Sequence, residues 1–572
     1  MENSVKRSIR DSFFDRSTKI QIIALCFIYN FWIVTAWPQT LSYDRLCMDS
    51  YGTFQYVYPF FWVILLLCIV FLLFSNAHPY IKLLYCIMLG LMTFGTLSLI
   101  QQLGTYHDSV PNLTAAIGYF NDGFIAVGSD PRNSYPLTYI LWGTLMTVCN
   151  IPLECLLKYH AILLTVLYVA SGTLLGKYFF KKKQMDDYFV WFVIFILIFG
   201  SRFAIRLNPA PQTLGIIASI FFLALAFKPD VKFRIVQMVI FLYICLSHAI
   251  STYYVICLLF AIFVAQYVLS LNVQKENTVN TINFQNGMNT IIITTVLFLF
   301  WLLYVAIFTS HAALNIAKQL VNIIFQDSSE STSMIPYLYQ SDNNMPIEYF
   351  VSNRFGWFIL LFLVIIGATT IALTVLRKEY EIGLPIISMV GIVAVQFYLS
   401  SYATKYGSLL DRSFLFMVIP MGLAFAYFCG TVRYYTTKSQ INRLKSVSTI
   451  ILLILVIFGT FNIYLSHYTD NFNAITPTEI KANEFGRFLP TGGQKIPIYI
   501  ESKQNFDNLV IVSRQIQNVR AYLEGNLNST LIELENIVIN IPEYELIYTN
   551  GNTKYYLRFC QIDEKVLKAK MV

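Results

Sequence analysis

The stretch Tyr106 to Asp122, YHDSVPNLTAAIGYFND, sets His107 and Asp108 side by side just after a long apolar run that ends near Ile100. A carboxylate held within hydrogen-bond reach of an attacking hydroxyl can take its proton. Arginines recur at the edges of other apolar runs: Arg202 and Arg206 in SRFAIRLNPAPQ, Arg354 ahead of the run from 356, and Arg412 beside Asp411. A guanidinium stays charged and meets phosphate oxygens with a two-pronged fork. His248, in LSHAISTYY, stands where two apolar runs meet. An acid, several arginines and two histidines would suit displacement at a carbon that carries a phosphate leaving group. Each residue also has a plainer reading. Asp122 and Asp130 adjoin Gly123 and Pro131 and fit turns. Arginines at the ends of apolar runs snorkel to the interface, Arg412 can pair with Asp411, and His248 can be a polar packing residue.

The elements that must position these groups are set by composition. The chain has 572 residues, of which 56% are hydrophobic, 16% aromatic and only 13% charged. A soluble protein carries roughly a quarter charged residues. Repeated apolar runs near the ~20 residues that cross a bilayer make this a polytopic membrane protein. The net charge of +8 does not point to nucleic acid, because lysines and arginines gather in short loops between apolar runs. The ten cysteines are scattered, without a CxxC pair or metal-ligand spacing, and most lie inside apolar runs as small packing residues. The first apolar run lacks a cleavage site and is expected to be retained.

Apolar segments fall near 20–37, 57–74, 81–100, 156–179, 188–200, 212–227, 234–247, 249–270, 290–309, 356–377, 384–400, 412–430 and 449–467. The predicted fold is therefore mainly α, a polytopic helical membrane bundle of about 13 spans over 1–467, with outer loops at 101–155 and 310–355. The run YPLTYILWGTLMTVCN, at 135–150, is expected to be a helix lying on the outer surface. Counting it as a span would put Lys181, Lys182 and Lys183 outside, against the charge rule. A cytoplasmic N-terminus then leaves most basic residues of the short loops inside, and places the sequons at Asn112 and Asn528 outside.

Residues 468–572 change character, with many charges and no apolar run near twenty. Thr478 opens a capped helical pattern, IPIYIES and NLVIVS read as strands, and YELIYTNGNTKYYLRF reads as a hairpin around Asn550-Gly551. This tail is expected to be a small extracytoplasmic α/β domain, on a protein of the cell membrane.

The order of these features is more specific than any one of them. A helix delivers the chain outside, Asp108 follows at once, and YPLTYILWGTL comes some twenty-five residues on. Next come a span ending in GKYFFKKK and a short span ending in SRFAIRLNP. Over residues ~80–270 this resembles the GT-C superfamily of multi-span glycosyltransferases that use a lipid-phosphate sugar donor. The resemblance implies Asp108 as the loop acid and transfer of a sugar from a polyprenyl phosphate or diphosphate at the outer face. Arg202, Arg206, Arg354 and Arg412 are the candidates to hold donor phosphate, with no motif that selects among them; His107 is a candidate to tune Asp108 or to bind sugar hydroxyls, and His248 is a further substrate-binding candidate. Two extra spans precede the acid here. His107 and Ser109 flank it where the family commonly has a DxD, DE or ED pair, so a divalent metal, Mg or Mn, stays an open expectation. The WWDYG motif of oligosaccharyltransferase catalytic subunits is absent, which disfavours transfer to asparagine sequons.

The partners implied are membrane lipid, a polyprenyl-linked sugar donor and a glycan, lipid or protein acceptor, with no nucleic acid. Two other classes share parts of the pattern. A transporter or flippase would show paired repeats and ionisable residues at mid-membrane. A polymerase or ligase of surface polysaccharide would also place arginines in long outer loops.

Overall fold

A computed structural model describes residues 16–36, 57–74, 78–100, 109–123, 131–181, 188–200, 207–227, 231–272, most of 284–318, 347–402, 407–438, parts of 450–461, and 509–513, 544–549 and 553–558. The chain is mostly helical. In order come α1 (Arg16–Ala36), α2 (Pro59–Phe74), α3 (Pro79–Gly90), a π-helical turn (Leu91–Gly95) and α4 (Thr96–Ile100). Then follow α5 (Ser109–Asp122), α6 (Leu137–Val148), α7 (Leu153–Phe179), α8 (Tyr188–Ile198) and α9 (Pro211–Ala226). Beyond them lie α10 (Val231–Ser247), α11 (Ala249–Asn272), α12 (Phe284–Tyr304), α13 (Ile347–Arg377), α14 (Tyr380–Tyr402) and α15 (Gly407–Lys438).

Helices lie over most of the expected apolar segments, and their lengths do not establish the expected count of about 13 spans. Among the described residues, six are long and apolar enough to cross a membrane: Thr18–Ala36, Cys155–Phe179, Ala249–Leu271, Gly287–Tyr304, Tyr380–Tyr398 and Leu415–Arg433. The segment at 188–200 is an apolar run whose helix is shorter than a bilayer crossing. Helix α8 has 11 residues, about 16 Å at 1.5 Å per residue, against a hydrocarbon core of ~30 Å. Every one of its residues is buried. A helix that is apolar on all sides must be covered on all sides.

What covers α8 is a pair of glycine-bearing faces. Gly176 of α7 lies so close that a Cβ there would stand 2.7 Å from the Cα of Phe189. On the other side Gly422 and Gly430 of α15 lie under the rings of Phe192 and Tyr188. Phe425 of α15 meets Trp191, Phe195 and Phe199 ring to ring. In lipid there is no hydrophobic gain from bringing helices together, so close van der Waals packing at small residues must do it.

Helix α3 passes into α4 through the π turn. Thr96 Oγ1 donates to the Met92 carbonyl at 2.6 Å and accepts from Trp32 Nε1 of α1 at 2.9 Å. This irregular helix is the one that runs into 101–108. Elsewhere, the turn between α13 and α14 is tied to α15. Arg377 pairs with Glu379 at 3.3 Å and donates to Thr431 Oγ1 at 3.2 Å, while the Tyr427 hydroxyl donates to Glu379 Oε2 at 2.8 Å.

In the tail, β1 (Leu509–Ser513), β2 (Tyr544–Thr549) and β3 (Thr553–Arg558) form an antiparallel sheet in the order β1-β3-β2. The pairing of Tyr544 with Arg558 and of Thr549 with Lys554 is that of a hairpin. The helical pattern from Thr478, the IPIYIES stretch, the Asn550-Gly551 turn and the sequon at Asn528 lie outside the described residues.

Candidate functional site

Asp108 directly precedes Ser109, the first residue of α5. Within the outer loop expected at 101–155, Ser109–Asp122 forms a helix. Its apolar residues explain why. Leu113, Ala116 and Phe120 recur at spacings of three and four and make one face, and Leu113 and Ala116 are buried. That face lies on α6. Gly143 of α6 sits under the Phe120 ring, and a Cβ there would also stand 3.0 Å from the Ala116 carbonyl oxygen. The Tyr119 and Tyr139 rings meet edge-on at 5.6 Å. Tyr119 donates to Asn133 Oδ1, and Tyr139 donates to Asn112 Oδ1 at 3.3 Å. The sequon asparagine is therefore helical and tied to a neighbouring helix. Gly123, at φ +67°, follows α5 in the left-handed conformation that ends helices, which agrees with the turn reading of Asp122.

Helix α5 packs against α7, and α6 against α9 and α10. Trp142 of α6, almost wholly buried, donates its Nε1–H to the Pro209 carbonyl at 3.0 Å. Pro209 belongs to the NPAP segment, which leads into α9. Pro211 occupies the first turn of α9, where its missing N–H costs nothing. Thr213 Oγ1 donates to Asn208 Oδ1 at 2.6 Å and closes that turn. Helix α6 also packs against the C-terminal part of α10.

His248 is the joint between α10 and α11. Its N–H donates to the Ile244 carbonyl at 2.9 Å, and its own carbonyl accepts from the Thr252 N–H at 3.2 Å. Its ring caps the new helix: Nδ1 accepts from the Ser251 N–H at 3.2 Å and meets Ser251 Oγ at 2.8 Å. A backbone N–H can only donate, so Nδ1 carries no proton and the neutral ring holds its proton on Nε2. Gly215 of α9 makes room for this cap, since a Cβ there would run into Ser251 Oγ and stand 2.9 Å from Ser251 Cβ.

Five hydroxyl groups are buried at this end, those of Ser134, Tyr135, Thr138, Tyr243 and Ser247. Tyr243 lies beside Thr138 and Ser247, and Tyr135 beside Thr309, just after α12. Burial pushes the Tyr135 phenol up to about 12, so it stays a neutral O–H group. The sequence reading passed over all five. Hydroxyls near helix ends are common, and only the contact between α6 and α10 gives these their setting.

Of the residues singled out in the sequence, His248 is fully described. Arg354 lies in the early turns of α13 and Arg412 in the second turn of α15, and their backbones alone are described. His107, Asp108, Arg202 and Arg206 lie outside the described residues. Among the described residues no three His, Cys, Asp or Glu side chains gather as a metal site.

No protein-family model and no curated protein matches the chain. Among solved structures it is similar to the crystal structure of the Archaeoglobus fulgidus oligosaccharyltransferase tethered with an acceptor peptide containing the NVT sequon via a disulfide bond. The two share 11% identity over 87% of this chain and 73% of that one, with a TM-score of 0.41. Identity and superposition at that level fix neither a shared fold nor a shared reaction.

Proposed function

We propose that this chain is a membrane glycosyltransferase, moving a sugar from a polyprenyl phosphate or diphosphate to an acceptor at the extracytoplasmic face, with Asp108 as the base. The observation that carries the reading is the polar end built by α5 and α6 on α7, α9 and α10. Asp108 is joined through one peptide bond to the first residue of α5, and α5 is held to α6 by Gly143, Tyr139 and Asn112. A carboxylate attached to a packed helix has a short tether, and a short tether is what proton transfer at a defined atom needs.

In this reading the acceptor oxygen attacks the anomeric carbon as its proton passes to the Asp108 carboxylate. The bond from that carbon to the phosphate oxygen breaks, and the electron pair leaves with the phosphate. Arg202, Arg206, Arg354 and Arg412 are the cations available to offset that charge. His248, with its proton on Nε2, offers a neutral donor to a sugar or phosphate oxygen. One base and no covalent intermediate give inversion at the anomeric carbon, by analogy with inverting hydrolases.

Reconstitution into sealed vesicles with a polyprenyl-phosphate sugar and candidate acceptors tests this. The expected products are a new glycoside and released lipid phosphate in equal amounts. Movement of the lipid-linked sugar across the bilayer without any glycoside would instead make the protein a flippase. Joining of two lipid-linked glycans into a longer one would make it a polymerase or ligase.

A further inference from the structure

The turn that joins α13 to α14 ends on a residue that the backbone there does not favour. Lys378 is exposed and has φ +54°. Its N–H donates to the Val375 carbonyl at 3.3 Å, and the Glu379 N–H reaches back to the Thr374 carbonyl at 3.1 Å. This is the left-handed helix ending in which glycine is usual and asparagine the common substitute. A lysine there works against the sterics of its own Cβ. The other non-glycine residue at positive φ among the described residues is Asn150, a type that tolerates it. A strained position of this kind points to a use for the side chain, and the Lys378 side chain offers an exposed positive charge.

Other cations gather at the same end. Arg377 donates to Thr431 of α15, the Tyr188 hydroxyl of α8 meets Thr431 as well, and the Tyr188 ring stacks on Phe180 at 4.9 Å. These contacts bring the α13 turn together with the end of α7, which carries Lys177 and Lys181, and with the part of α15 that carries Arg433. Against five cations stand Glu379, bound by Arg377 and Tyr427, and Glu381 in the first turn of α14. Residues 182–187, outside the described residues, add two lysines and two aspartates and so no net charge. Apolar side chains lead up to the charge: Val375 and Leu376 are exposed, Leu376 to 79%, and Tyr380 is exposed just beyond Lys378. Exposed apolar residues that end in cations and a tyrosine complement an acyl chain that ends in a phosphate. We infer that the α13–α14 turn binds the headgroup phosphate of an anionic phospholipid, with Lys378 as its principal contact. Lys181 and Arg433 add supporting charge, and Val375 and Leu376 lie against the acyl chains. Arg377, held by Glu379 and Thr431, fixes the turn. This end is remote from α5 and α6. Helix α9 starts two residues after Pro209, the partner of Trp142, and its 16 residues carry it about 24 Å to Ala226. Phe227, next in the chain, meets Phe179 of α7 at 5.3 Å. The inference therefore stands whether or not the chain transfers sugar.

Native mass spectrometry of the purified full-length protein, titrated with phosphatidylglycerol and with phosphatidylcholine, tests the site. Wild type is expected to bind its first phosphatidylglycerol more tightly than its first phosphatidylcholine. Lys378→Gly is expected to weaken the phosphatidylglycerol about fivefold, the weight of one basic residue at an anionic surface, and to leave phosphatidylcholine unchanged. The same variant is expected to keep or raise the thermal midpoint, because glycine suits the left-handed position. Lys378→Arg is expected to retain the preference, and Lys378→Asn repeats the test should the glycine variant fail to fold. Equal binding of the two lipids by wild type, or undiminished phosphatidylglycerol binding by Lys378→Gly, overturns the inference. Tighter binding of a polyprenyl phosphate than of phosphatidylglycerol, lost in Lys378→Gly, also overturns it and makes the turn a donor-lipid contact.

Discussion

Replacing Gly215 by alanine probes the joint that holds His248. A methyl group at 215 would overlap Ser251 Oγ and stand 2.9 Å from Ser251 Cβ, while His248 Cβ is 3.5 Å away and in ordinary contact. The hydroxyl can swing aside, but only by leaving His248 Nδ1. The Cβ cannot swing, so α9 and α11 must separate by about half an ångström to restore a normal contact. Overpacking of this kind costs about 1–3 kcal/mol. Ser251→Gly removes both clashing atoms, and alanine at 215 then meets His248 Cβ at a tolerable distance. The two substitutions are therefore expected to couple by about 1–3 kcal/mol, with the double variant close to Ser251→Gly alone. Thermal or denaturant unfolding in one detergent, run on all four proteins, reads the coupling. Donor turnover by Gly215→Ala is expected to fall by 10–100-fold, the scale on which a displacement of up to an ångström acts. Additivity within about 0.5 kcal/mol would show that α9 and α11 do not meet at these residues, and the account of His248 would fail with it.

Two further outcomes follow from the same end of the molecule. Asn112 is expected to stay unmodified when the protein is expressed in a glycosylating host, because its side chain is held by Tyr139 within a helix; mass spectrometry of the tryptic peptides would reveal a glycan if that contact were absent. Burial pushes the Tyr135 phenol up to about 12, above its ordinary value. A raised pKa means that the folded state holds the proton more tightly. The contribution is therefore present below pH 10 and lost as the pH rises from about 10 to 12. The difference in phenolate absorbance between wild type and Tyr135→Phe should show no ionisation at pH 10.5.

Much of the helical layout is legible in the sequence because long apolar runs leave the backbone one way to satisfy itself in lipid. What is not legible is which runs are membrane-length. Helix α8 reads like any other apolar segment, and its shortness and full burial depend on the glycine faces of α7 and α15, far away in sequence. Helix α5 was within reach, since Leu113, Ala116 and Phe120 carry a helical spacing under a polar surface. The role of His248 as a cap was hidden, because histidine is not among the usual capping residues and Ser251 serves as its partner only once the joint forms. The buried hydroxyls needed the α6–α10 contact. In the tail, β-branched and aromatic residues of LVIVS, YELIYT and TKYYLR announce strands, and the three strands pair as a sheet.

The measurement that bears most directly on the account is release of lipid phosphate from a panel of polyprenyl-phosphate sugars, with candidate acceptors present, by wild type and Asp108→Asn at matched membrane levels. The account predicts turnover of at least one donor by wild type and a loss of 10²–10⁴-fold in the variant, the range a positioned base supplies. Near-normal transfer by Asp108→Asn would remove the base from the mechanism proposed here.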